Sequence, residues 1–141
     1  HGIEAVRLIE APLSVLCVPE IARQLRTPAD LLQQTLLRSY RTDEWPEWFQ
    51  ATGLAAHAAP PRSIVFDSSL AMMEAALQGM GVALAPPLMF ARLLATGAIE
   101  QPFAIGITTG SYWLTRLQSR AETSAMAAFK SWLLQTAQQN G

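Results

Sequence analysis

Asp67, Ser68 and Ser69 stand between an apolar pair, Val65-Phe66, and an alanine-rich stretch running from Leu70 to Met80. Short oxygen-bearing side chains at such a junction cap a helix, one accepting a backbone hydrogen while another offers its hydroxyl to a bound group. The unpaired N–H groups and positive dipole end of a helix start favour a carboxylate or phosphate at the same place. An ordinary core βαβ unit with a satisfied cap has the same residue pattern. Both readings stay open on residue types alone.

Reactive machinery is otherwise missing. No Gly-x-Ser-x-Gly elbow surrounds Ser68 or Ser69, and the chain contains neither His-Glu-x-x-His nor a Walker sequence. Gly79-Met80-Gly81 lacks a third glycine and closes a helix instead of opening one, unlike a dinucleotide fingerprint. Asp43, Glu44 and Glu47 could pair as carboxylates, but they read better as the solvated first turn of a helix. His57 and His1 are the two histidines and neither has a cysteine or acid beside it, so no metal ligand set is written. Cys17 is the single cysteine, which excludes an internal disulfide and suggests a reducing compartment. Flanked by Leu16 and Val18, it reads as a buried strand residue and not as a reactive thiol. The inventory points to binding and not catalysis, with no cofactor.

The elements that must hold the serine turn follow from hydrophobic pattern and caps. The helix after Ser69 carries only Glu74 and Gln78 as polar residues, four apart on one stripe, so protein should cover most of its circumference. Gly79 and Gly81 should stop it. Val82 to Ala85 is a continuous apolar run, as in a parallel strand covered on both faces, ended by Pro86-Pro87. Upstream, Pro12 to Val18 reads as a strand, Pro19 to Leu25 as a short helix, and Thr27-Pro28 as the start of another helix running to Gln34. Leu36 to Tyr40 is the next strand, and Asp43 to Gln50 an acid-capped helix ending before Gly53. Trp45, Trp48 and Phe49 share one face of it, as core or as a subunit contact. A loop spans 54–62. Downstream the pattern predicts a helix over Leu88 to Ala95 closed by Gly97, a strand over Ile99 to Phe103, and a turn over Gly106 to Gly110. A strand over Ser111 to Leu117 and a helix from Thr123 to about Gln138 complete the chain. Such alternation argues for an open, mostly parallel α/β sheet, in which ligands bind beyond the carboxyl ends of the strands.

Composition limits the partners. The chain has 141 residues, enough for one domain with a real core, and half of them are hydrophobic against 15% charged. So few charges imply that large areas pack against something further. No apolar run is long enough to span a membrane. Ten basic and eleven acidic side chains give a net charge of −1, with the basic ones dispersed, so this segment lacks the clustered charge of a DNA-binding surface. The start, His1-Gly2-Ile3-Glu4, has no signal-peptide features and reads as a cut from a longer chain.

Phe66-Asp67-Ser68-Ser69, the alanine-rich helix, Gly79-Met80-Gly81-Val82-Ala83-Leu84-Ala85-Pro86 and Gln101-Pro102-Phe103 together resemble the effector-binding domain of LysR-type transcriptional regulators. The runs Leu36 to Trp45 and Gly110 to Thr123 resemble, more narrowly, the branch of that family that controls chromosomal β-lactamase genes. The resemblance covers essentially the whole chain. It implies a periplasmic-binding-protein-like (type 2) α/β fold: the end of a first lobe and a crossover in 1–11, a second lobe in 12–110, and a strand and helix returning to the first lobe in 111–141. It implies an N-terminal winged helix-turn-helix that carries the DNA contact, a homodimer or homotetramer, a cytoplasmic location and no membrane partner. Its effectors would be muropeptides: UDP-N-acetylmuramyl pentapeptide to repress, anhydromuramyl peptides to activate. The family's cleft serine falls on Ser69, with Ser68 beside it, and its cleft tyrosine on Tyr112. Two rivals remain at this point. One is an oligomerisation module without a ligand, motivated by the Trp45, Trp48, Phe49 face; the other is a lobe of a periplasmic solute-binding protein.

Overall fold

A computed structural model describes residues 2–54 and 62–140 of the chain. Positions 55–61, with His57 and most of the loop expected over 54–62, lie outside the described residues. The chain divides into two compact units, Pro12–Thr109 and the pair of segments His1–Ala11 and Gly110–Gly141.

The larger unit is built on four strands, β2 (Ser14–Leu16), β3 (Leu36–Ser39), β4 (Ser63–Phe66) and β5 (Val82–Ala85), in the order β2-β5-β3-β4. β5, β3 and β4 run parallel, whereas β2 is antiparallel to β5. Side-chain alternation sends Val82 and Leu84 to one face of β5 and Ala83 and Ala85 to the other. The first face packs against α1 (Pro19–Ala22), a 3-10 turn (Pro28–Gln33) and α2 (Glu44–Ala51) through Ile21, Leu31, Trp45, Trp48 and Phe49. The second packs against α3 (Ser69–Leu77) through Met72, Met73 and Ala76, with Phe90 from a further 3-10 turn (Pro87–Phe90) ahead of α4 (Ala91–Ala95). Burial on both faces is why β5 tolerates no polar residue.

The tryptophan face is core. Trp45, Trp48 and Phe49 are buried against one another, and the two indoles donate to the Leu37 and Ile105 carbonyls, each at 3.1 Å. The observation that motivated a ligand-free oligomerisation module is thereby removed. α3 ends as expected, with Gly79 at a positive φ of 75°. Gly81 has a different reason to be glycine: a Cβ there would stand 2.3 Å from the Thr35 carbonyl oxygen.

Several expectations need correction. Ile99 to Phe103 is not a strand, because Pro102 has no N–H and the segment makes a single antiparallel bridge, Glu100 to Cys17. Gly106 to Gly110 is not a turn: Ile107 bridges Leu13 in extended backbone. Asp43 precedes α2 in helical conformation and makes no side-chain cap, and Glu44 is buried instead of solvated. α3 is less enclosed than its composition suggests, since Leu70 is 69% exposed. Cys17 is fully buried, and burial, with the charge of Glu100 adding to it, pushes its thiol up to about 12.

The smaller unit joins β1 (Ile3–Glu10) to β6 (Ser111–Leu117) as an antiparallel ribbon, Ile3 opposite Leu117 and Glu10 opposite Ser111, with a bulge between Arg7 and Ile9. The sequence pattern did not single out β1. α5 (Ser124–Asn140) follows, its Met126 N–H bonded to the Thr123 hydroxyl at 3.2 Å, as the expected cap requires. Glu4 of β1 pairs with both Arg116 of β6 and Lys130 of α5, and Lys130 reaches Glu122 at 3.8 Å. Those cations hold the Glu4 carboxyl below its usual value, the Lys130 hydrogen bond first.

Candidate functional site

Registers within the larger unit align four chain exits and entries in one row. Ser14 lies opposite Ala85, Leu37 opposite Ala83, and Ser39 opposite Phe66. The carboxyl ends of β5, β3 and β4 therefore share an edge, where ligands bind in open α/β sheets.

At the β4 end, Asp67 stays exposed and does not cap. Ser68 adopts extended backbone (φ −138°, ψ 132°), and its hydroxyl accepts from the N–H groups of Leu70 at 3.2 Å and Ala71 at 3.4 Å. Ser68 thus supplies the cap, and Ser69, the half-buried first residue of α3, keeps its hydroxyl out of it. Of the two roles considered for adjacent serines, the cap falls on Ser68 alone.

At the β3 end the Ser39 hydroxyl donates to the buried Glu44 carboxylate at 2.8 Å and accepts from the Arg41 N–H at 3.1 Å. Desolvation raises the Glu44 carboxyl above its usual value, and the Ser39 hydrogen bond opposes the shift. At the β2 end Ser14 is buried, donating to the Ile105 carbonyl at 2.7 Å, while the Gln101 amide donates to Ser14 Oγ at 3.0 Å and to the Phe103 carbonyl at 3.2 Å. Gln101, Pro102 and Phe103 are thereby strapped to the same edge. Sequence reasoning missed Ser39, Glu44 and Ser14. An acid in a first helical turn carries no mark of burial, and a serine inside an apolar run carries none of the long-range bond that explains it.

Ser68 and Ser69 come together, whereas Tyr112 belongs to the smaller unit. It is the second residue of β6, opposite Ile9 just past the bulge, with its side chain 44% exposed. Among the described residues, no group of three or more His, Cys, Asp or Glu side chains could hold a metal ion, and no helix is long and apolar enough to cross a membrane.

A family model, the LysR substrate binding domain, matches residues 1–138. The chain belongs to the LysR substrate-binding domain family. Within it, the HTH-type transcriptional activator AmpR of Pseudomonas aeruginosa is 71% identical over 137 residues, 97% of this chain and 46% of that protein. The chain thus spans about half the length of the curated relatives it matches. The solved effector domain of Pseudomonas aeruginosa AmpR superposes with a TM-score of 0.91 at 71% identity, over 97% of this chain and 66% of that one. The AmpR effector binding domain from Citrobacter freundii gives 0.93 at 50% identity, over 99% of this chain and 70% of that one. It has also been solved with three substitutions, threonine to valine, serine to alanine and tyrosine to phenylalanine. The expected periplasmic-binding-protein-like α/β class is therefore the fold of this LysR domain.

Proposed function

We propose that this chain is the effector-sensing part of a LysR-type regulator that works in the cytoplasm, senses peptidoglycan muropeptides and controls a β-lactamase gene. In this reading 12–110 forms the second effector lobe, and 111–141 returns to the first lobe that 1–11 leaves. DNA is contacted through a helix-turn-helix outside this segment, in a homodimer or homotetramer. The observation that carries the proposal is the division of labour at α3: Ser68 makes the cap and leaves the Ser69 hydroxyl at a strand-end turn, ready to hydrogen bond a ligand. The relatives named AmpR, which are transcriptional activators and not enzymes by name, support the class of protein. The serine and tyrosine replaced together in the Citrobacter freundii domain lie as far apart along that chain as Ser69 and Tyr112 do here, which supports those two as effector contacts.

Regulation follows from differential affinity. A muropeptide that binds one lobe arrangement better than another shifts the equilibrium between them, with couplings of about 1 to 3 kcal/mol. Calorimetry on the full-length regulator with UDP-N-acetylmuramyl pentapeptide tests the assignment. Ser69→Ala and Tyr112→Phe should each cost about 1.5 to 3 kcal/mol where the lost bond is to a charged group. Unchanged affinity in both variants would remove the site.

A further inference from the structure

The chain passes between its two units twice, from Ala11 to Pro12 and from Thr109 back to Gly110. Near both crossings, inside the larger unit, Leu13 and Ile107 exchange backbone bonds of 2.8 and 2.9 Å. The next link along the same pair of segments is Cys17 with Glu100, at 3.1 and 2.8 Å. Four steps of chain separate Leu13 from Cys17 but seven separate Glu100 from Ile107, whereas an antiparallel ladder needs equal counts. Three surplus residues are therefore stored in an arch over 101–106, which opens with the Gln101-Pro102-Phe103 run.

Side chains take the place of the ladder there. On the core side the Phe103 and Trp48 rings stand 5.9 Å apart, and the buried Trp48 donates its Nε1–H to the Ile105 carbonyl at 3.1 Å. The buried Ser14 hydroxyl donates to the same carbonyl at 2.7 Å. Gln101, itself exposed, completes the clamp: its side-chain amide donates to Ser14 Oγ at 3.0 Å and to the Phe103 carbonyl at 3.2 Å. Trp48 and Ser14 let go only if the core opens, whereas Gln101 can turn into water with the core intact.

We infer that Gln101 is a positioning residue for the two crossings. Bonded, its amide fixes the arch and with it the Leu13–Ile107 link; released, it loosens that link and widens the range of arrangements open to the two units. The inference rests on the reading of those units as parts of lobes that an effector shifts, and adds the contact that sets their freedom.

Gln101→Met keeps the length of the side chain and removes both donors. In the ligand-free full-length regulator, hydrogen-exchange protection of the Leu13 and Ile107 amides should fall about 3- to 10-fold in this variant. The Val82 amide, bonded to the Thr35 carbonyl at 2.9 Å, should keep its wild-type protection. Spin labels at the exposed Glu20 and Arg120, with labelled subunits diluted in unlabelled ones, should give a broader distance distribution in the variant. A loss of protection shared by Val82 overturns the assignment, because it marks general destabilisation. Unchanged protection at Leu13 and Ile107 overturns it too, as does an unchanged distribution. A wild-type distribution that UDP-N-acetylmuramyl pentapeptide leaves unmoved overturns the effector-shifted lobes, while the exchange result still decides the clamp.

Discussion

The Glu44 carboxylate accepts the Ser39 hydroxyl at 2.8 Å across the corner between β3 and α2, with Glu44 only 7% exposed. A buried acid with a neutral partner is destabilising when ionised, and desolvation accordingly raises its pKa above the ordinary value of 4.5. Its contribution to stability is present below the unfolded-state value and is lost as pH rises through the folded one. Glu44→Gln keeps an oxygen for Ser39 but has no charge to bury. The stability difference between the variant and the wild type should therefore move in favour of Glu44→Gln as pH rises from about 4 to about 7. Urea titrations across that range check it, and a difference independent of pH would refute the burial argument.

Glu4 has the opposite sign. Lys130 and Arg116 hold its carboxyl below 4.5, so the bond between ribbon and α5 is fully formed above that value and weakens as pH falls through the lowered one. The protection factors of the α5 amides, which take out the slower intrinsic exchange in acid, should fall from neutral pH into acid, and Glu4→Gln should flatten that dependence. The ion pairs are partly exposed, so added salt should weaken them at every pH.

What the sequence made legible was what local chemistry decides. α3 and β5 stood out because a serine cap, an apolar helix, glycines and a two-sided apolar strand agree with one another, and α2 because its aromatics recur at helical spacing. β1 was not legible: it alternates half-buried and exposed residues and owes its strand geometry to pairing with β6, more than a hundred residues away. Extended segments such as Gln101 to Phe103 look like strands until their partners are known, and this one is held by side-chain bonds from Gln101 and Ser14. Ser69 was legible as a candidate, but the assignment of the cap to Ser68 needed coordinates.

Gly81 and Gly79 should respond differently to alanine. At Gly79 the added methyl meets nothing within 4 Å, and the cost is the left-handed backbone, about 1 to 2 kcal/mol. At Gly81 the methyl meets the Thr35 carbonyl oxygen, the acceptor of the Val82 N–H at 2.9 Å, so the β3–β5 ladder must shift. Gly81→Ala should cost about 3 kcal/mol, the upper part of the overpacking range. Chemical denaturation of both variants ranks them, and equal losses would show that the β5 entry is more pliable than its packing suggests.

Ser68 and Ser69 provide the sharpest test of fold against the proposed function, because only one of two adjacent hydroxyls of the same chemistry makes the helix cap. Removing the cap in Ser68→Ala exposes two amide donors and should cost about 1 kcal/mol of stability. It leaves the neighbouring hydroxyl in place, so muropeptide affinity should change little. Ser69→Ala removes no cap, and alanine is the better helix former, so stability should hold or rise by a few tenths of a kcal/mol while affinity falls. Thermal denaturation and calorimetry on the same pair of full-length variants measure both axes. A Ser69→Ala that loses stability without losing affinity would return that hydroxyl to a purely structural role.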